Sequence, residues 1–561
     1  MVNGKSQLLL NRAWLSVLLM LIGCLLTIAQ AQSGTNTVEA VASQDAFTGL
    51  IHQLRDAKLR KKPALVKQLG ELQDTRVEAV LRALLDGRLY YTKDDRRAVV
   101  FKENSEKGYR ITDVVSGTLI GEIGKRQAKK IGVNNTLRRI LRSKLAELKL
   151  DSDDPEARLK AVKALSQKMD TRIGHLLRDR LPGEKDGDVR AVMSLAIAIL
   201  DVRGQDTGLR LDAIEILATD LSPNIRNTLN DLLRTNADGS FAETDMAVVE
   251  AATDALKKID RQVWLYGLVE TLFFGLSLGS VLALSAIGLA ITFGVMGVIN
   301  MAHGELMMVG AYTTYVIQQL MPNYLDSFIL VAIPAAFLVS ALLGICIERG
   351  VIRFLYGRPL ETLLATFGIS LILQQTVRSI FSPLNRSVST PSWMSGSLEI
   401  NSVLSLTLNR LYIIAFALIV FGLLLMVLKK TRLGLQVRAV SQNRSMAKAM
   451  GIRSERVDAL TFGLGSGIAG VAGVALSQLT NVGPNLGQSY IVDSFMVVVF
   501  GGVGNLWGTL ISGMSLGVAN KILEPFAGAV LAKILILVAI ILFIQIRPRG
   551  LFPQKGRAAE D

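Results

Sequence analysis

Two different hydrophobic rhythms run along this chain, and they change near residue 261. Before that point apolar residues recur at three- and four-residue steps in short runs between charged turns, the signature of amphipathic helices. Five such runs resemble one another: DTRVEAVLRALL (74–85), DPEARLKAVKAL (154–165), DGDVRAVMSLAI (186–197), SPNIRNTLNDLL (222–233) and DMAVVEAATDAL (245–256). Each opens with Asp or Ser, whose side chains can accept from the free amides of a first helical turn. The pattern fits stacked helical pairs of the HEAT type, in which each pair buries its apolar face on its neighbour, and equally an ordinary helical bundle. Between the first two runs the period shortens. Tyr90-Tyr91, Val99–Phe101, Tyr109–Ile111 and Thr118–Ile120 lie between turn residues and predict a small β insert.

From Trp264 onward the apolar runs are long enough to span a bilayer. They read as 265–295, 304–320, 327–347, 360–381, 409–428, 459–480, 491–523 and 527–546. The run 491–523 is too long for one simple span and contains GGVGN at 501–505, so a discontinuous helix or a re-entrant pair is expected there. The predicted fold class is thus an all-α polytopic membrane protein preceded by a mostly helical domain with a small β insert. The expected organisation is a signal peptide over 1–31, a helical extension over 32–261, a membrane domain over 262–546 and a tail over 547–561.

The N-terminus carries Lys5 and Arg12, a short apolar core over Trp14–Ile28, and Ala29-Gln30-Ala31 as a cleavage site. This predicts secretion of the extension, or its display outside the cytoplasm behind an uncleaved anchor. Charge sharpens the division. Residues 32–261 hold 40 Lys+Arg against 35 Asp+Glu, a nearly compensated, solvated surface, while residues 262–561 hold only 20 against 12. No basic stripe is interleaved with aromatics, so nucleic acid is not an expected partner. Within the membrane half, 429–457 carries eight Lys+Arg and one acidic residue. This segment, the basic turn around Arg349, Arg353 and Arg358, and the tail are therefore expected in the cytoplasm. An outside extension then requires an odd number of crossings. The eight runs break that parity, and 491–523 is the one expected to be mis-divided.

Chemistry is sparse. The chain contains no G-x-x-x-x-G-K-[ST] and no H-E-x-x-H. Its three histidines, His52, His175 and His303, are far apart, and two cysteines make no disulfide framework. No metal or cofactor is expected and an enzyme reading has little support. Two polar patterns at membrane depth stand out instead, because such groups are costly there and face protein or a water-filled path. In GVINMAHGELMMVGAYTTY (297–315), Asn300, His303 and Glu305 cluster within six residues, bracketed by Gly294, Gly297 and Gly304. They are read as a break between spans whose polar groups cap helices and meet water, or as the lining of a path. In 360–381, Thr362, Thr366, Ser370 and Gln374 recur every four residues, followed by Arg378, and make one polar stripe on a helix. That stripe suits either helix packing or a substrate path. The glycines of GLGSGIAGVAG (463–473) are spaced for close helix contact.

Four motifs, GLAITFGVMGVINMAHGELMMVGAY, ERGVIRFLYGRP, MAKAMGI followed by ALTFGLGSGIAGVAGV, and FGGVGNLWGTLISG, together resemble the permeases of branched-chain amino-acid-type ABC importers. The likeness covers roughly 262–552 and keeps the family's order. LYGRPLETLLATFGISLILQQTVRSIF and the secreted extension resemble the urea-permease branch more closely. The resemblance implies one of two permease subunits, two cytoplasmic ATPases that use the ATP, and a periplasmic substrate-binding protein, in the inner membrane. It also implies an ATPase-docking helix in 429–457, with Arg438, Ala439, Ala447, Gly451 and Ile452 in the corresponding region and the family's usual Glu absent. The leading expectation is a urea importer. The alternatives are a permease for branched-chain or other amino acids, or a membrane-anchored scaffold that works through its helical extension.

Overall fold

The computed structural model describes residues 46–552 except 73, 106, 107, 167 and 168. The expected signal peptide, the first residues of the extension and the end of the tail lie outside the described residues. The chain divides into two compact units, with the principal boundary between Leu256 and Lys257 and a short excursion at Asp220–Pro223 assigned to the second.

The first unit begins with α1 (46–56), α2 (Lys62–Leu69) and α3 (Arg76–Leu85). An antiparallel sheet follows, made of β1 (Leu89–Thr92), β2 (Ala98–Ser105), β3 (Gly108–Asp113), β4 (Leu119–Ile123) and β5 (Ala128–Lys130), in the order β4-β3-β2-β1-β5. The four β-like runs of the sequence fall on β1 to β4. The three-residue β5, which pairs with β1 through Tyr90 and Lys130, had no such signal. Helices α4 (Asn135–Lys149), α5 (Pro155–Ser166), α6 (Thr171–Arg180), α7 (Gly187–Asp201), α8 (Thr207–Leu217) and α9 (Pro223–Leu232) complete the unit with the first turns of α10.

The expected aspartate caps are in place. Asp74 Oδ1 accepts from the Arg76 amide at 2.8 Å, Asp154 from Glu156 and Asp245 from Ala247 at 3.0 Å, and Asp186 from Asp188 and Val189 at 3.0 Å. Each cap satisfies an amide that has no partner inside its helix. The apolar stripes build two cores. One joins Phe47, Ile51, Leu81, Leu84 and Leu137 to Leu89 and Ala98 of the sheet; the other joins Val162, Leu165, Leu177, Val189 and Met193 of α5 to α7.

The second unit holds the apolar helices. They are α10 (Met246–Met296, from Lys257 on), α11 (His303–Leu320), α12 (Phe328–Gly350), α13 (Pro359–Phe381), α14 (Leu408–Lys430), α15 (Arg432–Gln442), α16 (Arg444–Ala449), α17 (Ser454–Ser477), α18 (Leu486–Gly501) and α19 (Leu506–Ile546). Six of them, α10, α12, α13, α14, α17 and α19, are long and apolar enough to cross a membrane. The protein is therefore mostly helical and polytopic.

Two breaks fall close to where the sequence reading set them, and one helix start differs. The run 491–523 is two elements: α18 stops at Gly501 and α19 starts at Leu506. Gly502 (φ +100°) and Gly504 (φ +79°) turn the chain in the left-handed region that favours glycine. The boundary expected between 523 and 527 is also present: Gly528 (φ 76°, ψ 162°), three residues after Pro525, separates two helical stretches within α19. The first apolar run begins well inside α10 rather than at a helix start.

Helix α17 is the centre of this unit, with nearly every residue buried. Its glycines let backbones meet. A Cβ on Gly465 would lie 2.7 Å from Gly288 O of α10, and one on Gly470 would lie 2.5 Å from Ala336 O of α12. Gly473 packs in the same way on Met307 and Ala311 of α11. Inside a membrane no hydrophobic force draws helices together, so this close packing is what association rests on.

Candidate translocation site and docking surface

Helix α10 ends at Met296, Gly297 takes φ +66°, and α11 begins at His303. The break is therefore where the sequence put it, but its polar residues do not meet water. Asn300, His303 and Glu305 are fully or almost fully buried, where α10, α13 and α18 pack on this turn and the start of α11. Asn300 Oδ1 accepts from the Ala302 amide at 3.0 Å. His303 Nε2 meets Ser285 O of α10 at 3.0 Å, and the Ser285 hydroxyl in turn meets that of Ser494 on α18. Gly304 packs against the Gly487 backbone, which brings the N-terminus of α11 onto α18.

The stripe of α13 faces this break. Thr362, Thr366, Ser370 and Gln374 are all buried, while Leu360, Leu364 and Ile372 on the opposite face are exposed. Four-residue spacing keeps the stripe on one side of the helix. Thr362 donates to Arg358 O at 2.8 Å within its own helix. Thr366 Oγ1 accepts from the Met301 amide at 3.1 Å. Glu305 Oε1 accepts from Gln374 Nε2 at 2.8 Å and from Ser370 Oγ at 3.0 Å. The two polar patterns, separate in the sequence, thus form one network between α11 and α13. Above it the contact turns aromatic: the Tyr312 and Phe381 rings lie 4.8 Å apart.

The network is not saturated. Glu305 Oε2, Asn300 Nδ2, His303 Nδ1 and the Tyr312 hydroxyl are buried without hydrogen-bond partners, and among the described residues no Lys or Arg pairs with Glu305. Buried polar atoms are normally paired, so these four are free to meet a polar guest or a helix rearrangement. Among the described residues no cluster of His, Cys, Asp and Glu could hold a metal.

One membrane ion pair was not singled out from the sequence. Lys533 Nζ of α19 meets Asp493 Oδ2 of α18 at 2.8 Å. Each is a lone charge in a long apolar run, which is a legible signal at membrane depth.

The basic segment 429–457 folds as α15 and α16. Val437, Val440, Ala447 and Val457 make a small core, with Ala439 and Ile452 packed against it. Arg438 reaches back to Leu428 O, and Arg444 pairs with Asp458 and lies 3.9 Å from the Tyr356 ring centroid. Gly451 (φ +82°) ends α16, where the Ile452 amide donates to Ala447 O at 3.0 Å. Leu435, Met446 and Met450 stay exposed beside Lys448 and Arg453. Of the docking candidates, then, Ala447 is a core residue, Ala439 and Ile452 are half-buried, and Arg438 and Gly451 are accessible.

This second unit is a membrane permease by its helices and its buried polar break. The profile of the branched-chain amino acid transport system permease component matches residues 271–544. The chain is 33% identical over 294 residues to the high-affinity branched-chain amino acid transport permease LivH of Salmonella typhimurium, covering 94% of that protein and 50% of this one. It is 31% identical over 296 residues to BraD of Pseudomonas aeruginosa, covering 96% of that permease and 51% of this chain. It is 27% identical over 291 residues to a probable LivH of Methanocaldococcus jannaschii, covering 88% of it and 48% of this chain. No solved structure matches. The chain belongs to the family of branched-chain amino acid ABC transporter permeases. The names of these relatives favour the amino-acid alternative over the urea expectation.

Proposed function

We propose that this chain is one permease subunit of an ATP-driven importer of branched-chain amino acids. The observation that carries the reading is the unsaturated network of Glu305, Ser370 and Gln374, buried in a membrane unit whose relatives are named for that transport. Asn300, His303, Thr362 and Thr366 extend the candidate path along the same helix contact. The subunit works with a second permease, two cytoplasmic ATPases and a periplasmic substrate-binding protein, and takes no cofactor of its own. The exposed apolar and basic face of α15 and α16 receives an ATPase. The chain sits in the inner membrane, surrounded by lipid, with the helical extension in the periplasm behind a cleaved signal and the tail in the cytoplasm.

Urea or a short amide is the second reading, and a specific feature favours it. The groups that hydrogen-bond Glu305, namely Ser370 and Gln374, are neutral, and among the described residues no Lys or Arg forms an ion pair with it. Growth separates the two. A leucine auxotroph that depends on this importer should need far more external leucine after deletion of the chain. Unchanged leucine dependence with impaired growth on urea as nitrogen source would favour the second reading.

A further inference from the structure

A cavity lies in the membrane unit, apart from the network between α11 and α13. It encloses about 210 Å³ between α12, α14 and α17, walled by Ile333, Ile413, Phe416 and Val474. Trp393 and Tyr412 also line it, packed edge to face with centroids 5.1 Å apart. Leu330 and Ile419, in the same lining, are exposed on two helices long enough to span, so this side of the cavity opens toward the bilayer.

The lining holds no charged residue. Its one amide side chain, Gln478, is 6% exposed. Gln478 Nε2 donates weakly to Ser477 Oγ at 3.4 Å, and Oε1 is buried with no hydrogen-bond partner. Exchanging the two amide atoms would only leave the other one unpaired. Thr407 Oγ1 and Asn409 Oδ1 are likewise buried without partners, and Asn409 Nδ2 lies 3.4 Å from Gln478 O.

An occupant has to satisfy both features. The volume is that of about seven waters, but water does not fill apolar walls. A plain alkyl chain leaves the amide unpaired, and a phosphate or carboxylate finds no cation. A hydroxyl both donates and accepts, so it pairs with Gln478 in either amide assignment. We infer that this cavity binds the hydroxyl-bearing end of an uncharged, aliphatic membrane lipid. The aliphatic part lies against Ile333, Phe416 and Val474, with Trp393 and Tyr412 at the membrane side.

The test uses the full chain in membranes and a dodecanol carrying a photoactivatable diazirine. Labelling should map to the cavity, around Ile333, Phe416 or Trp393. Unlabelled 1-dodecanol should compete at least about fivefold better than dodecane or dodecyl phosphate, the effect of one buried hydrogen bond. Gln478→Leu should remove that preference, and Ile333→Trp should block labelling by filling the space. If Gln478→Leu does not fold, the competition series on the unaltered chain decides alone. Equal competition by dodecane, stronger competition by dodecyl phosphate, or absence of label in the cavity because a protein partner fills it would each overturn the inference.

Discussion

Gln374 Nε2 donates to Glu305 Oε1 at 2.8 Å across 69 residues of chain, and with Ser370 it ties α13 to the first turn of α11. One oxygen of that carboxylate keeps no partner. The contact is both a structural tie and an open acceptor.

Gln374→Leu removes one of the two donors to Glu305 while keeping the size of the side chain. Leaving a buried group short of a partner costs about 1–3 kcal/mol, or roughly 5- to 150-fold in transport efficiency if the network lines the path. Uptake and membrane protein level are measured together. Reduced uptake at a normal level marks the path; a matching fall in both marks a packing role; full uptake at a normal level removes Gln374 from the site.

Gly451 is held at φ +82° with open space where a Cβ would stand, so backbone conformation alone restricts it. Gly451→Asn should keep the turn, whereas Gly451→Val should cost about 1–2 kcal/mol locally and distort the end of α16. ATPase co-purification is the readout. It should survive the first change and fall with the second, while membrane insertion stays normal in both.

Orientation is checked with a reporter active only outside the cytoplasm. Fused after Asp260 it should be active, and inserted within 441–447 it should be silent. The reverse pattern would discard the proposed topology together with the assignment of α15 and α16 to the ATPases.

The sequence made separate elements legible and their meetings illegible. The stripe of α13 and the cluster 300–305 could each be seen, because local spacing places residues on a face. That Ser370 and Gln374 bond Glu305 is a tertiary fact with no local signal. The same reasoning explains the error at 297–305. A glycine-bracketed polar turn looks solvated until the helices that bury it are in place. The glycines of α17 were readable as contacts because any Cβ there would collide with some neighbour, whichever it was. Parity and the glycines of 501–505 flagged 491–523, and Lys521, Glu524 and Pro525 marked the boundary that the structure places at Gly528. Lys533 and Asp493 were visible as lone charges, and only the fold makes them partners.

The extension has its own titration. Arg158 donates to both Glu184 oxygens at 2.8 and 2.9 Å, and the amides of Lys185 and Asp186 add 2.9 Å bonds. The Arg158 contact is the first cause that lowers the Glu184 carboxyl from its ordinary 4.5 to about 2. A lowered carboxylate stabilises the fold above its unfolded value and loses that contribution as pH falls from about 4.5 toward 2. Hydrogen exchange around 155–201, corrected for intrinsic rates, should show weakening protection across that window. Glu184→Gln should be less protected at neutral pH and flatter below it.

The central claim is most directly tested by energised uptake of radiolabelled leucine and urea into cells lacking other carriers, with and without this chain and its partner subunits. The account predicts that leucine accumulates only when the chain is present and ATP is available, and that excess unlabelled isoleucine suppresses it while urea does not. Leucine uptake that is unchanged by removal of the chain, with urea accumulation lost instead, would contradict it.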